Sequence, residues 1–164
     1  MIGGNSGGGR FPRARIYFVL KMKSFLQRYA PAIAWAVLLF ALSSIADLAF
    51  PVQVFSWDDK IHHAAAYTPL GFLLLRAIAG KERCRPKNLW LAIIIGALYG
   101  GSDEIHQYFV PGRFMDWTDA LADAIGVTLG SGIFYKWRAY QLSRQPLTQK
   151  TVSKNRWRIE RDDG

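Results

Sequence analysis

The sequence predicts an all-α, polytopic membrane protein with four transmembrane helices and both termini in the cytoplasm. Hydrophobic residues make up 51% of the 164-residue chain. They fall into four apolar runs of roughly 20 residues, which at ~1.5 Å per residue cross a ~30 Å hydrocarbon core. The charged residues lie between these runs, and the basic ones concentrate in alternate segments, as in polytopic membrane proteins.

Basic residues set the predicted orientation. Of the 21 lysines and arginines, 18 lie before the first apolar run, between the second and third runs, or from residue 136 onward. Because cytoplasmic segments are enriched in such residues, these three segments are predicted to lie inside, at the cytoplasmic (inner) membrane. The lone Cys84 excludes an intrachain disulfide and suits a reduced cytoplasmic loop.

The net charge of +9 does not predict a nucleic-acid partner, because the basic residues flank apolar runs and form no polar amphipathic face. The predicted partner is the lipid bilayer. The oligomeric state is left open.

Three segments follow in chain order: a flexible basic N-terminal segment over 1–29, a four-helix membrane domain over 30–137 and a basic cytoplasmic tail over 138–164. Within the domain, the predicted spans are 30–50, 60–79, 89–109 and 117–137. Asp47 falls near the outer end of the first span. Met22 is a second candidate for the translation start, and Trp117 and Trp137 bracket the last span as interfacial anchors.

This topology places the start of the second span, the end of the third and the start of the fourth at one outer level. Each carries polar residues at helical spacing, on one face. They are Lys60, His63 and Tyr67 on the second span, Asp103 and Gln107 on the third, and Asp116, Asp119, Asp123, Gly126 and Gly130 on the fourth. Because ionisable groups at membrane depth are costly, these faces predict a shallow cavity open to the outside.

The residue types predict a site for an anionic cell-envelope molecule. Glu104 is the candidate general base, His63 its proton partner, and Asp119 would orient the imidazole or hold a metal. Lys60 and Arg113 would bind phosphate or carboxylate. The other candidate binding residues are Gln107, Asp103, Tyr67 and Asp116.

A divalent metal ion bridging Asp103, Glu104 and Asp119 is a possible cofactor, although no short metal-ligand signature is present. Three alternatives stay open. Asp103, Glu104 and Arg113 would form a structural ion-pair network, Asp116 would cap a helix, and Gly126 and Gly130 would serve packing. A non-enzymatic transporter or structural membrane partner would use the same cluster, so whether the protein is an enzyme is open.

Two blocks of sequence resemble the VanZ-like family of bacterial membrane proteins. The first is Asp59-Lys60-Ile61-His62-His63 with Tyr67, Leu70 and Gly71. The second is Asp103-Glu104, Gln107, Pro111-Gly112-Arg113, Asp116, Asp119 and Gly126. Together they span about half the chain, residues 59–130. Asp123 stands where the resemblance leads us to expect asparagine.

The resemblance implies a small, multi-span helical protein of the cytoplasmic membrane. The namesake of the family is associated with resistance to the glycopeptide teicoplanin. It therefore implies a link to glycopeptide resistance. The expectation that the molecule bound is a lipid-linked or cell-wall precursor rests on the residue types of the site and not on the resemblance.

Overall fold

Four helices make up the computed structural model, which describes residues 13–45, 58–80 and 84–144. They are α1 (Arg13–Ser43), α2 (Asp58–Ala79), α3 (Pro86–Gln107) and α4 (Trp117–Ser143). The described residues contain no strand, so the predicted all-α class is confirmed.

The bounds of α2 and α3 lie within three residues of their predicted spans, and α4 begins at the predicted Trp117. Local signals explain these bounds. Asp58 and Asp59 favour the positive end of the α2 dipole, and Pro86 opens α3 at a position that needs no amide hydrogen.

The first span is placed wrongly by the sequence. It was expected over 30–50, but α1 begins at Arg13 and ends at Ser43. Arginine and lysine are good helix formers, so the basic segment continues the helix. Residues 13–29 are therefore helical, while Asp47 lies outside the described residues.

At the other terminus, α4 runs six residues past the predicted bound of 137, to Ser143. The rest of the predicted tail, beyond residue 144, lies outside the described residues.

One helix among the described residues is long and apolar enough to cross a bilayer, Arg15–Ser43, with a mean hydropathy of 1.5. The other three carry acids, bases or histidines within the helix, and these lower their hydropathy. The predicted count of four transmembrane helices therefore remains a proposal.

Glycines bring α2 and α4 into backbone contact. A Cβ on Gly130 would lie 1.8 Å from Thr68 O, and one on Gly126 would lie 2.3 Å from Ala64 O. On the facing helix, a Cβ on Gly71 would lie 2.1 Å from Val127 O. Small residues permit this approach, so the packing interpretation of Gly126 and Gly130 is confirmed.

The bundle buries polar groups beside its apolar core and exposes many large apolar side chains. On α4, one row of apolar side chains is 52–67% exposed; it comprises Trp117, Leu121, Ile125, Leu129 and Ile133. On the opposite face, Asp119, Asp123 and Ser131 are buried. A helix of a water-soluble bundle would expose its polar residues and bury such an apolar row.

Candidate functional site

Four buried carboxyl groups gather where the start of α2 meets the end of α3 and the start of α4. They belong to Asp103, Glu104, Asp119 and Asp123, each at most 6% exposed. Buried acids are rare unless they are paired or bind a cation. This acidic cluster is the candidate site.

The start of α4 fixes two of these acids. Gly112 adopts φ 80°, which lets the chain turn after α3. Asp116 then caps the helix, because its Oδ1 accepts a hydrogen bond from the Thr118 amide at 2.8 Å. Asp119 and Asp123, four residues apart, consequently face α2 together.

Lys60 pairs with two acids of this segment. Its Nζ lies 2.5 Å from Asp119 Oδ1 and 2.9 Å from Asp116 Oδ2, with Asp59 at 3.8 Å. The hydrogen bond from the ammonium lowers the pKa of Asp116 to about 2, with further help from the bonds donated by Thr118. The charge of Lys60 is therefore paired with acids of the protein itself. The hydrogen bond from the Thr118 amide supports the alternative in which Asp116 caps the helix.

His63 lies between acids on both sides of its ring. Its Nδ1 is 3.0 Å from Asp123 Oδ1 and 3.9 Å from Glu104 Oε1, and its Nε2 is 3.9 Å from Asp119 Oδ2. An imidazole in this position can pass a proton between the two sides or ligate a metal with either nitrogen.

Two groups of side chains have ligand atoms close enough together to hold a metal ion. One comprises His63, Glu104 and Asp123, and the other Asp59, His63 and Asp119; within each, the ligand atoms lie within 4.8 Å of one another. His63 belongs to both groups. The first group is the more buried, and the second reaches the exposed Asp59.

Asp123 keeps one carboxylate oxygen without a partner. The residue is 0% exposed, and its Oδ2 accepts no hydrogen bond from the described residues. Asp119 Oδ1 also lacks a hydrogen bond of ordinary geometry, but the Lys60 ammonium at 2.5 Å satisfies it electrostatically. Asp123 Oδ2 therefore remains the unsatisfied acceptor, a costly position for a buried carboxylate.

Both oxygens of Glu104 are occupied by neutral donors. Oε2 accepts the Asp116 backbone N–H at 3.1 Å, and Oε1 accepts Gln107 Nε2 at 3.2 Å. The residue predicted as a general base thus also ties the end of α3 to the start of α4.

Asp103 lies in a hydrogen-bonded junction of three helices. Its Oδ1 accepts Ser43 Oγ at 2.6 Å, and its Oδ2 accepts Tyr67 OH at 3.2 Å. Gln107 Nε2 adds a longer bond to Oδ2 at 3.4 Å. Since these donors come from α1, α2 and α3, the contacts of Asp103 and Tyr67 are those of a structural junction.

Arg113 contacts the acidic cluster indirectly, through the side-chain amide of Gln107. Its Nη1 donates to Gln107 Oε1 at 3.1 Å, and its Nε donates to Ile45 O at 3.4 Å. It forms no ion pair with a described carboxylate. The alternative of a direct Asp103–Glu104–Arg113 ion-pair network is therefore wrong, because Gln107 stands between them.

The structure thus brings all nine predicted site residues into one connected region and adds two. The two additions are Asp123, which pairs with His63, and Ser43, which lies in the segment predicted as the first apolar span. His106 lies apart, with Nε2 3.0 Å from Ser44 Oγ and its ring stacked on Phe40. The 3- and 4-residue spacing on α4 had placed Asp123 on the polar face but not among the candidate binding residues, whereas no signal distinguished Ser43 from Ser44.

The charges of the cluster do not balance. When all four buried carboxylates are ionised they outnumber the two bases of the cluster, Lys60 and His63, by two, even with His63 protonated. Such an excess in a poorly hydrated interior must be neutralised by protons or by a bound cation.

The fold and the site define a four-helix protein with an acidic interior cluster and an apolar exterior. The VanZ/LLP1 family matches residues 14–139, about three quarters of the chain, and the chain belongs to this family. No curated protein and no solved structure matches it. Family membership and the apolar α1 together favour a membrane protein.

Proposed function

We propose that all four helices cross the cytoplasmic membrane, with both termini in the cytoplasm and the acidic cluster on the extracytoplasmic side. The exposed apolar row of α4 supports this, because it gives a helix with buried acids a surface suited to lipid. The basic residues at the opposite helix ends support the orientation.

In this position the acidic cluster binds a divalent cation and, through it, an anionic cell-envelope molecule. The observation that carries the proposal is the excess of two negative charges that the acidic cluster holds when its four carboxylates are ionised, together with the unpartnered Asp123 Oδ2 beside His63. A divalent cation would neutralise that excess and leave positive charge directed at a phosphate or carboxylate.

His63, Glu104 and Asp123 are the proposed ligands. One imidazole and two carboxylates suit Zn²⁺ or Mn²⁺. Lys60 and Arg113 do not carry the anion by themselves, because Lys60 is paired with Asp119 and Arg113 with Gln107. If the bound molecule is also hydrolysed, Glu104 and His63 are the groups placed to move the proton, with Asp119 beside Nε2.

Metal titration tests the proposal. Full-length protein in detergent micelles is titrated calorimetrically with Mn²⁺ and with Zn²⁺, comparing wild type, His63→Gln and His106→Gln. We expect His63→Gln to weaken binding by about tenfold or more, since it removes a ligand, and His106→Gln to leave it unchanged. Wild-type protein that binds neither ion, or equal affinities in the two variants, would refute the metal site.

The anionic molecule is tested separately with a polyprenyl phosphate as the probe. Binding to metal-loaded protein should be lost after chelation with EDTA. In cells, the His63→Gln strain should match a deletion strain in its susceptibility to teicoplanin and other envelope-directed antibiotics while membrane abundance is unchanged. Probe binding that persists in EDTA would separate the anion from the metal.

A purely structural cluster is the second candidate, favoured by the 2.5 Å contact between Lys60 and Asp119. Exchanging the two charges, Lys60→Asp with Asp119→Lys, tests it. Recovery of both abundance and cellular function in the double variant, after loss in each single variant, would favour a structural ion pair. Recovery of abundance alone would favour a binding site.

A further inference from the structure

A cavity of about 940 Å³ opens at the end of the bundle opposite the acidic cluster. Side chains from all four helices line it. Helix α2 links the two regions, with Lys60 in the cluster and Arg76 in the cavity wall. Their separation of 16 positions corresponds to roughly 24 Å of helix, so the two sites are separate.

The described lining of this cavity carries positive charge and no carboxylate. Its cations are Arg28, Arg76, Arg85, Lys87 and Arg138. Arg76, Arg85 and Lys87 form no ion pair with any described acid. Like charges held around one space repel one another, and a bound anion relieves that repulsion.

The helix ends do not cancel this charge. The carbonyls that end α2 are already taken, because Arg28 donates to Ala77 O and to Ile78 O. Beside them α3 begins, and its N-cap residue Arg85 supplies no side-chain cap. The positive end of the α3 dipole therefore adds to the field of the cations.

Beside the polar Ser24, Gln27 and Asn88, apolar residues form another part of the wall and connect it to the exterior. Phe134 is buried, and the half-exposed Trp137 continues the exposed row of α4 that includes Ile133. A ligand with an anionic head and an apolar tail would place the head among the cations and the tail along this row. The volume matches that of known small-molecule sites, which are roughly 300–1,000 Å³.

We propose that this cavity binds the phosphate-bearing headgroup of an anionic phospholipid from the cytoplasmic leaflet. Arginine forks suit phosphate oxygens, and basic pockets between membrane helices on this side bind such headgroups. The proposal rests on the proposed membrane crossing and orientation, but it is independent of metal binding at the acidic cluster.

Lipid retention by the full-length protein tests the proposal. Delipidated protein in detergent is titrated with phosphatidylglycerol, cardiolipin or phosphatidylcholine, and bound lipid is counted by native mass spectrometry. We expect both anionic lipids to bind about tenfold or more tighter than phosphatidylcholine. The double variant Arg85→Gln with Lys87→Gln should lose about tenfold of that affinity, because it removes two headgroup contacts from exposed positions.

Two controls distinguish a built site from general attraction. Lys136→Gln removes an exposed cation of α4 that does not line the cavity and should change lipid binding little. The single variant Lys87→Gln should show a smaller loss in the same direction as the double variant. Equal losses for Lys136→Gln and Lys87→Gln would indicate diffuse surface charge and overturn the proposal.

Other outcomes also overturn it. Displacement of the lipid by excess inorganic phosphate would identify a free phosphate site. Loss of lipid binding in EDTA or in His63→Gln would place the lipid at the acidic cluster. Conversely, lipid binding that survives both treatments while metal binding fails would support the cavity and refute only the metal proposal.

Discussion

His63 of α2 and Asp123 of α4 meet in the interior of the bundle, with Nδ1 3.0 Å from Oδ1. The resemblance to VanZ-like proteins led us to expect asparagine at position 123. An asparagine would meet the imidazole without adding charge, whereas the aspartate contributes one of the four buried carboxylates. This position therefore makes the cluster of this chain more acidic than the resemblance implies.

Asp123→Asn is the variant that changes charge with the least structural disturbance. Its Oδ1 can still accept from His63, and the new amide group falls at the unpartnered Oδ2 position. We expect normal membrane abundance with divalent-metal affinity about tenfold weaker, measured by calorimetry. Unchanged metal affinity would remove Asp123 from the proposed ligands.

Glu104→Gln should behave differently and reduce stability. Both Glu104 oxygens accept hydrogen bonds, from the Asp116 backbone and from Gln107, and a glutamine offers one acceptor in their place. Leaving one donor unmatched costs about 1–3 kcal/mol. The thermal unfolding midpoint in detergent and the membrane abundance should both fall. Full abundance with lost function would show instead that Glu104 acts chiefly in binding or chemistry.

Gly130→Ala should separate α2 from α4. Its Cβ would lie 1.8 Å from Thr68 O, a backbone atom that cannot move without shifting the helix, and overpacking of this kind costs about 1–3 kcal/mol. Gly132→Ala is the matched control, because a Cβ there meets no described atom within 4 Å. Thermal unfolding midpoints of the two variants should differ clearly, with Gly132→Ala equal to or above wild type. Equal midpoints would contradict the packing.

Asp116→Asn should show a pH-dependent loss of stability. Because the folded pKa is about 2, below the ordinary 3.8, ionised Asp116 stabilises the fold above that ordinary value, and this contribution disappears as pH falls toward 2. Asparagine keeps the helix cap but not the charge contact with Lys60. The unfolding midpoint of wild type should exceed that of the variant at neutral pH, and the gap should close below about pH 4. A gap that persists at low pH would exclude the charge as its cause.

The sequence was most informative where polar or small residues recurred at the spacing of an α-helix. The 3- and 4-residue spacing of Asp119, Asp123, Gly126 and Gly130 predicted one inward face, and all four are buried. It was least informative about α1, where hydropathy located an apolar run but basic residues continued the helix to Arg13. The sequence also does not show which side chains contact each other. Lys60 was therefore predicted to bind an anionic ligand, whereas in the structure its nearest acid is Asp119.

Ser43 shows most clearly what the sequence could not reveal, since it differs from Ser44 only in which way its side chain points. Ser43 is 5% exposed and donates to Asp103 Oδ1, while Ser44 is exposed and bonds to Phe40 O and, at the surface, to His106 Nε2. Ser43→Ala should therefore cost about 1–3 kcal/mol of unfolding free energy, because it leaves a buried carboxylate oxygen without its donor. Ser44→Ala, the matched control, should stay within about 0.5 kcal/mol of wild type. Chemical unfolding in mixed micelles measures the unfolding free energy of each variant. Equal losses in the two variants would show that the Ser43–Asp103 hydrogen bond does not stabilise the contact between α1 and α3.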